Sequence, residues 1–172
     1  MPTGLKASSS PIQISSAVTE AVPGIFVTDQ IDLTLNVLDN EVFVVTQLNI
    51  DCDAPDSLTG VTTQVEASVS TTRRTSVGTI ADQNVLGFSN RQIIANGAMT
   101  PDGGFVFERD DPLFSALEVD YLGIIATNNA FLNVQGLNNG NVKTARCRIY
   151  GYRATASASV YAALVQSELL SA

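Results

Sequence analysis

A chain of 172 residues can bury a core of its own without metals or disulfides, yet only 15% of it is charged against 45% hydrophobic, so its surface is poor in the Lys and Glu that keep monomers apart. The net charge of −8, nine Lys and Arg against seventeen Asp and Glu, repels phosphate backbones and argues against specific nucleic-acid binding. Histidine is absent, which removes the commonest general base, the commonest zinc ligand and every Ser-His or Cys-His triad, so the chain is read as non-enzymatic.

Residues 1–24 are rich in Ser, Thr, Ala and Pro, and Pro2, Pro11 and Pro23 block a continuous helix, so an extended arm is expected. Within it Ile12 and Ile14 alternate with polar residues and are candidates to add an edge strand to a neighbouring subunit's sheet. Lys6 is the only basic residue before Arg73, so this arm is not one that neutralises a packaged genome. The first residues contain no apolar signal region and no stretch approaches the roughly 20 apolar residues of a transmembrane helix, so synthesis in a cytoplasm without export is expected.

From Ile25 onward, Ile31, Leu33, Leu35 and Val37 alternate with Asp32, Thr34 and Asn36 at the period of a half-buried strand. Asp39-Asn40 is compatible with a tight hairpin into a second strand, Val42 to Ile50. There strict alternation sets Val44, Thr46, Leu48 and Ile50 against Phe43, Val45, Gln47 and Asn49. Asp51, Asp53 and Asp56 then form a DxDxxD loop, a candidate Ca²⁺ site built from hard oxygen ligands. No Gly sits at the sharp turn and no Glu closes the loop, so a solvated acidic turn is the preferred reading. Asp110, Asp111, Glu118 and Asp120 form a second acidic group with the same bland alternative. Paired carboxylates also serve glycoside hydrolysis, but a chain with no Trp and four Tyr offers few platforms for a sugar.

Thr63, Val65, Ala67 and Val69 alternate with Gln64, Glu66, Ser68 and Ser70, and Arg73 to Ile80 reads as a continuation; residues 81–103 read as loop punctuated by short strands around apolar pieces such as Val85-Leu86 and Ile93-Ile94. Further strands are expected at Phe105 to Glu108, Leu117 to Thr127, Ala130 to Gln135 and Val142 to Ser157, with turn chemistry at Asn128-Asn129 and Asn138 to Asn141. In the last strand Arg146, Arg148, Tyr150 and Tyr152 share one face, and Ala145, Cys147, Ile149 and Gly151 the other. Arg and Tyr are favoured at protein interfaces, so the first set is read as an inter-subunit contact, with Asp110-Asp111 a candidate acidic partner and a solvent-exposed edge the alternative. Cys52 and Cys147 form no CxxC pair; a disulfide stays open beside the preferred reading, two buried free thiols.

Only the end looks helical, with Ser159 able to cap Val160 to Leu170. The helix packs on its own sandwich or on a partner subunit; the absence of Lys and Arg after Arg153 weakens a membrane surface as a third option. Short strands with Asn- and Gly-rich turns and no interleaved helices argue for an all-β antiparallel sandwich or barrel.

The arm, about eight antiparallel strands, long mid-chain loops and a helical tail, together with YLGIIATNNAFLNVQGLNNGNVKTARCRIYGYRATAS at 121–157, resemble the single jelly-roll coat (capsid) proteins of tailless icosahedral viruses. The resemblance implies an eight-stranded jelly-roll β-sandwich at 25–158, after the arm at 1–24 and before a C-terminal helix or tail at 159–172. It further implies a self-assembling coat subunit of an icosahedral shell, synthesised in a host cytoplasm and resident in the virion. Its partners would be copies of itself, with minor capsid or vertex proteins as further ones. The acidic balance departs from coats that condense single-stranded RNA and fits shells over an internal membrane or filled with double-stranded DNA. A receptor- or carbohydrate-binding sandwich, such as a fibre, spike or lectin-like module, would use the same architecture.

Overall fold

Alternating stripes become strands because each places its apolar set on one side of a pleat. The computed structural model of the protein describes residues 4–95, 104–110 and 120–170. Among them run β1 (Leu5–Ala7), β2 (Ile12–Thr19), β3 (Val27–Asp32), β4 (Glu41–Cys52), β5 (Thr63–Ser70), β6 (Val85–Ala95), β7 (Gly104–Asp110), β8 (Gly123–Ile125), β9 (Asn129–Leu137), β10 (Thr144–Ala156) and the helix α1 (Ala158–Leu170). The described strands number ten rather than eight, all paired antiparallel.

Four pairings, β2 with β10, β3 with β9, β4 with β8 and β5 with β6, are those of one long ribbon doubled back at the β5–β6 connection. Two more, β10 with β4 and β9 with β5, roll that ribbon into two sheets. The first sheet runs β2-β10-β4-β8, with β1 beside β2 on the same edge of β10; the second runs β3-β9-β5-β6-β7. Their inner faces meet in one core, where Phe43, Val45, Val65, Val69, Leu132, Val134 and Ile149 are fully buried. Residues 12–19, expected in an extended arm, are thus a strand of the chain's own sheet: β10 offers an open edge, and the stripe Ile12, Ile14, Val18 completes the core below it.

The turn chemistry sits at corners between sheets rather than at hairpins. β3 and β4, β8 and β9, and β9 and β10 each fall in opposite sheets, so the Asp39-Asn40, Asn128-Asn129 and Asn138 to Asn141 turns carry the chain across the sandwich. Positive φ at Asn40 (52°) and Asn138 (55°) serves a crossing as well as it serves a hairpin. β3 ends at Asp32 because Thr34 takes a left-handed φ of 50°, although Leu33 and Leu35 remain buried. Residues 73–80 are not a strand; Gly78 donates its N–H to Ser68 Oγ at 2.9 Å, holding this loop over the outer face of the second sheet. The run expected to be loop punctuated by short strands instead supplies one long strand, β6, from Val85 to Ala95. Of the strand expected from Leu117, residues 117–119 lie outside the described residues and β8 occupies only Gly123–Ile125.

β4 departs from strict alternation. Its pairing with β10 shifts between Tyr150, opposite Gln47, and Gly151, opposite Val45, leaving Thr46 as an extra residue. Such a bulge flips the side-chain parity. Phe43 and Val45 therefore join Leu48 and Ile50 at the core, while Val42 and Val44 point outward. Gly151 faces the bulge, where a Cβ would collide with the Val44 carbonyl and the Phe43 ring.

The outward Val42 and Val44, with Ala126, Ala154 and Ala156, are buried under Val160, Tyr161, Leu164 and Val165 of α1, so the helix packs on its own sandwich. Its first intrahelical bond, Tyr161 N–H to Ser157 O at 2.9 Å, makes Ser157 rather than Ser159 the N-cap. Glu168, 8% exposed, anchors the far end by accepting from the amides of Ala126 (2.9 Å) and Thr127 (3.1 Å). Among the described residues no helix is long and apolar enough to cross a membrane.

Candidate functional site

The uncovered part of the first sheet's outer face lies beyond α1, on β2, β10 and β4. β10 is the middle strand, and its alternation turns Ala145, Cys147 and Ile149 into the core and Arg146, Arg148 and Tyr150 outward. Register places Ala17 and Asp51 on either side of Arg146, Ser15 and Asn49 beside Arg148, and Gln13 and Gln47 beside Tyr150. Short Ser15 and Ala17 next to long arginines leave a shallow groove of about 560 Å³, floored by the backbone of β10 and walled by Asn49, Asp51, Arg146 and Arg148.

The three aspartates of the expected Ca²⁺ loop are not brought together as a ligand set; each is spent on a cation. Arg146 Nη1 lies 2.8 Å from Asp53 Oδ1 and 3.9 Å from Asp51 Oδ2. Arg91 of β6 reaches Asp51 at 3.1 Å and Glu108 of β7 at 2.7 Å, and also donates to the Cys52 carbonyl, so Asp51 links the two sheets through ion pairs. Burial would raise the Asp53 carboxyl, but hydrogen bonds from Arg146 and the Thr144 amide outweigh it and hold the carboxyl below the ordinary value. Asp56 is held low chiefly by Lys143, whose Nζ stands at 2.6 Å, and it also accepts from the amides of Gly140 and Asn141, both at 2.9 Å. Asp56 is therefore the pin of the β9–β10 corner. Among the described residues no group of three or more His, Cys, Asp or Glu is placed to hold a metal.

The candidate interface residues divide. Arg146 and Arg148 are exposed and Tyr150 is half-buried, all on the open face. Tyr152 belongs instead to the cluster under α1. Ile12 and Ile14 pack against the chain's own core, because β2 closes the edge of β10. Arg146 is committed to its aspartates, which raises its pKa. Arg148 reaches the Tyr150 hydroxyl at 3.5 Å, and among the described residues no carboxylate pairs with it. Of its expected acidic partners, Asp110 enters β7 through its backbone opposite Ser89 and Asp111 lies outside the described residues; of the rest of the second acidic group, Glu118 also lies outside them and Asp120 is exposed. Cys52 and Cys147 are both buried with no disulfide between them, and burial pushes the Cys147 thiol up to about 11.

The sequence did not single out Glu20, the only acid before Asp29. It is 3% exposed and gathers the amides of Gly136 (2.7 Å), Lys143 (2.9 Å) and Gly24 (3.2 Å), tying the end of β2 to the β9–β10 corner. A lone acid in a Ser/Thr/Ala/Val stretch was the available signal. Lys143, 5% exposed beside it, carried none.

No protein-family profile matches the chain. No curated protein matches it either. Solved structures to which it is similar include a chain of Desmodium yellow mottle tymovirus, at 12% identity, covering 91% of this chain and 93% of that one, with a TM-score of 0.30. A chain of turnip yellow mosaic virus stands at 11% identity, covering 91% of this chain and 86% of that one, with a TM-score of 0.28.

Proposed function

We propose that this chain is a structural coat subunit: a jelly-roll sandwich that assembles in many copies into a closed icosahedral viral shell and performs no catalysis. The observation that carries the reading is the strand order. Setting aside β1 and β7 leaves eight strands in two sheets, β2-β10-β4-β8 facing β3-β9-β5-β6, which is the order obtained by rolling one eight-strand ribbon. Jelly rolls of this kind recur in capsid, lectin and cupin domains. A chain without histidine lacks the usual metal ligands of an enzymatic version.

The surface favours the shell among the remaining uses. It is poor in charge, and two contiguous apolar stretches lie on different parts of the molecule: Phe105 to Phe107 on the last strand of the second sheet, and Leu169-Leu170 at the end of the helix on the first. A tile in a closed lattice needs contacts on several sides. In this reading the protein is made in a host cytoplasm and resides in the virion, with minor capsid or vertex proteins as further partners. A second reading, a receptor- or carbohydrate-binding module, is favoured by the groove walled by Asn49, Asp51, Arg146 and Arg148. Light scattering on the purified chain separates the two: particles of many copies are expected, whereas dimers or trimers that bind glycans would support the second reading and overturn the first.

A further inference from the structure

We infer that β7 is a self-pairing edge, at which two copies of this chain join their second sheets through an antiparallel β7–β7 contact across a two-fold axis; the inference rests on the self-assembly reading and names one of its interfaces. The second sheet is five strands wide against four in the sheet it faces, and β7 is the terminal strand, paired only with β6 among the described residues. Both of its faces are open: Phe105 is 50%, Val106 72% and Phe107 54% exposed. Monomeric proteins blunt such edges with Lys, Pro, bulges or free charge. β7 has no Lys or Pro, and its register with β6 is unbroken. Its central charges are occupied within the chain, Glu108 by Arg91 at 2.7 Å and Arg109 over the Phe88 ring at 5.9 Å.

The strand is complementary to itself. An antiparallel pair centred on Phe107 sets Phe107 against its copy, Phe105 against Arg109, and Val106 against Glu108. Centred on Val106, it sets Val106 against its copy and Phe105 against Phe107. Across Phe105 to Arg109 neither arrangement opposes like charges, whereas a pair centred on Glu108 would set glutamate against glutamate and one centred on Arg109 arginine against arginine, which is destabilising. The apolar triplet therefore fixes the centre. Two half-exposed phenylalanines and a valine offer roughly 300 Å² of apolar surface per copy. Two copies remove roughly 600 Å² by that measure, below the ~1,200 Å² of stable interfaces, so the contact is weak alone and suits a lattice in which it is one of several.

The test is oxidative cross-linking of the full-length chain carrying Val106→Cys or Phe107→Cys, with Ser15→Cys on the first sheet and the wild type as controls. The native cysteines are buried. A covalent dimer on non-reducing gels is expected for one or both β7 variants and for neither control. Absence of a dimer at both β7 positions overturns the pairing, as does equal cross-linking of the Ser15→Cys control. If particles still form in that case, the shell reading stands without this contact; a β7 dimer in a protein that never forms particles supports the pairing and removes the shell.

Discussion

Replacing Glu20 by Ala removes the acceptor for three amides at once. Those of Gly136 and Lys143 are buried, at 2.7 and 2.9 Å from the carboxylate, while that of Gly24 is part-buried at 3.2 Å. Leaving a buried donor unmade costs about 1–3 kcal/mol. Two such donors, plus a weaker third, place Glu20→Ala at about 4 kcal/mol of lost stability. Near the melting point, a chain of this size shifts by about 2–4 °C per kcal/mol, so a fall of roughly 8–16 °C is expected. Glu20→Gln keeps one carbonyl oxygen, which can still serve Gly24 and Gly136, and turns its amide nitrogen toward the Lys143 N–H; about half the loss is expected. The assay is urea unfolding of unassembled subunits, reading the midpoint at constant slope. A Glu20→Ala unfolding free energy within ~1 kcal/mol of wild type would refute the role given to this carboxylate.

Four further outcomes are expected. Asp56→Ala removes the carboxylate that the buried Lys143 ammonium faces, leaving it the Ala54 carbonyl at 2.9 Å, and should cost about 3–5 kcal/mol by the same unfolding assay, the usual penalty for breaking a buried pair from one side. Asp53 and Asp56 have folded pKa values below the ordinary 3.8, so their contribution is fully present above that value and is lost as pH falls through the lowered ones. Unfolding midpoints from pH 5 to 2.5 should decline, and less steeply in Asp56→Asn. Glu168 has the opposite sign, since burial raises its pKa above 4.5; its contribution is present below that value and fades as pH rises through the raised one. Gly151→Ala forces a methyl group into the Val44 carbonyl and Phe43 ring and should cost about 2–3 kcal/mol, measured by thermal melting. Both thiols should resist a disulfide reagent at pH 8 in the folded protein and react in denaturant, because Cys147 is buried with its pKa pushed up to about 11 and Cys52 is fully covered.

Strands whose inner stripe is unbroken were legible: Val65, Ala67 and Val69 on β5, and Ala145, Cys147 and Ile149 on β10, face the core as period-two alternation requires. β4 was not, because the extra residue at Thr46 reverses parity and nothing in the local sequence announces a bulge whose partner, Gly151, lies far along the chain. Turn chemistry located the joints correctly without telling hairpins from corners, since Asn in the left-handed region serves both. The same limit governed the site. Asp51, Asp53 and Asp56 read as a ligand loop when seen alone; the cations that claim them, Arg91, Arg146 and Lys143, come from β6, β10 and the corner before it. Ile12 and Ile14 alternated as an edge strand should, but sequence does not state whose edge is open.

The most direct measurement is electron cryomicroscopy of the full-length chain after concentration. Closed particles of uniform diameter, with the two-sheet subunit repeated in an icosahedral lattice, are the expected result. A protein that stays a single-copy species from micromolar to millimolar concentration would contradict it.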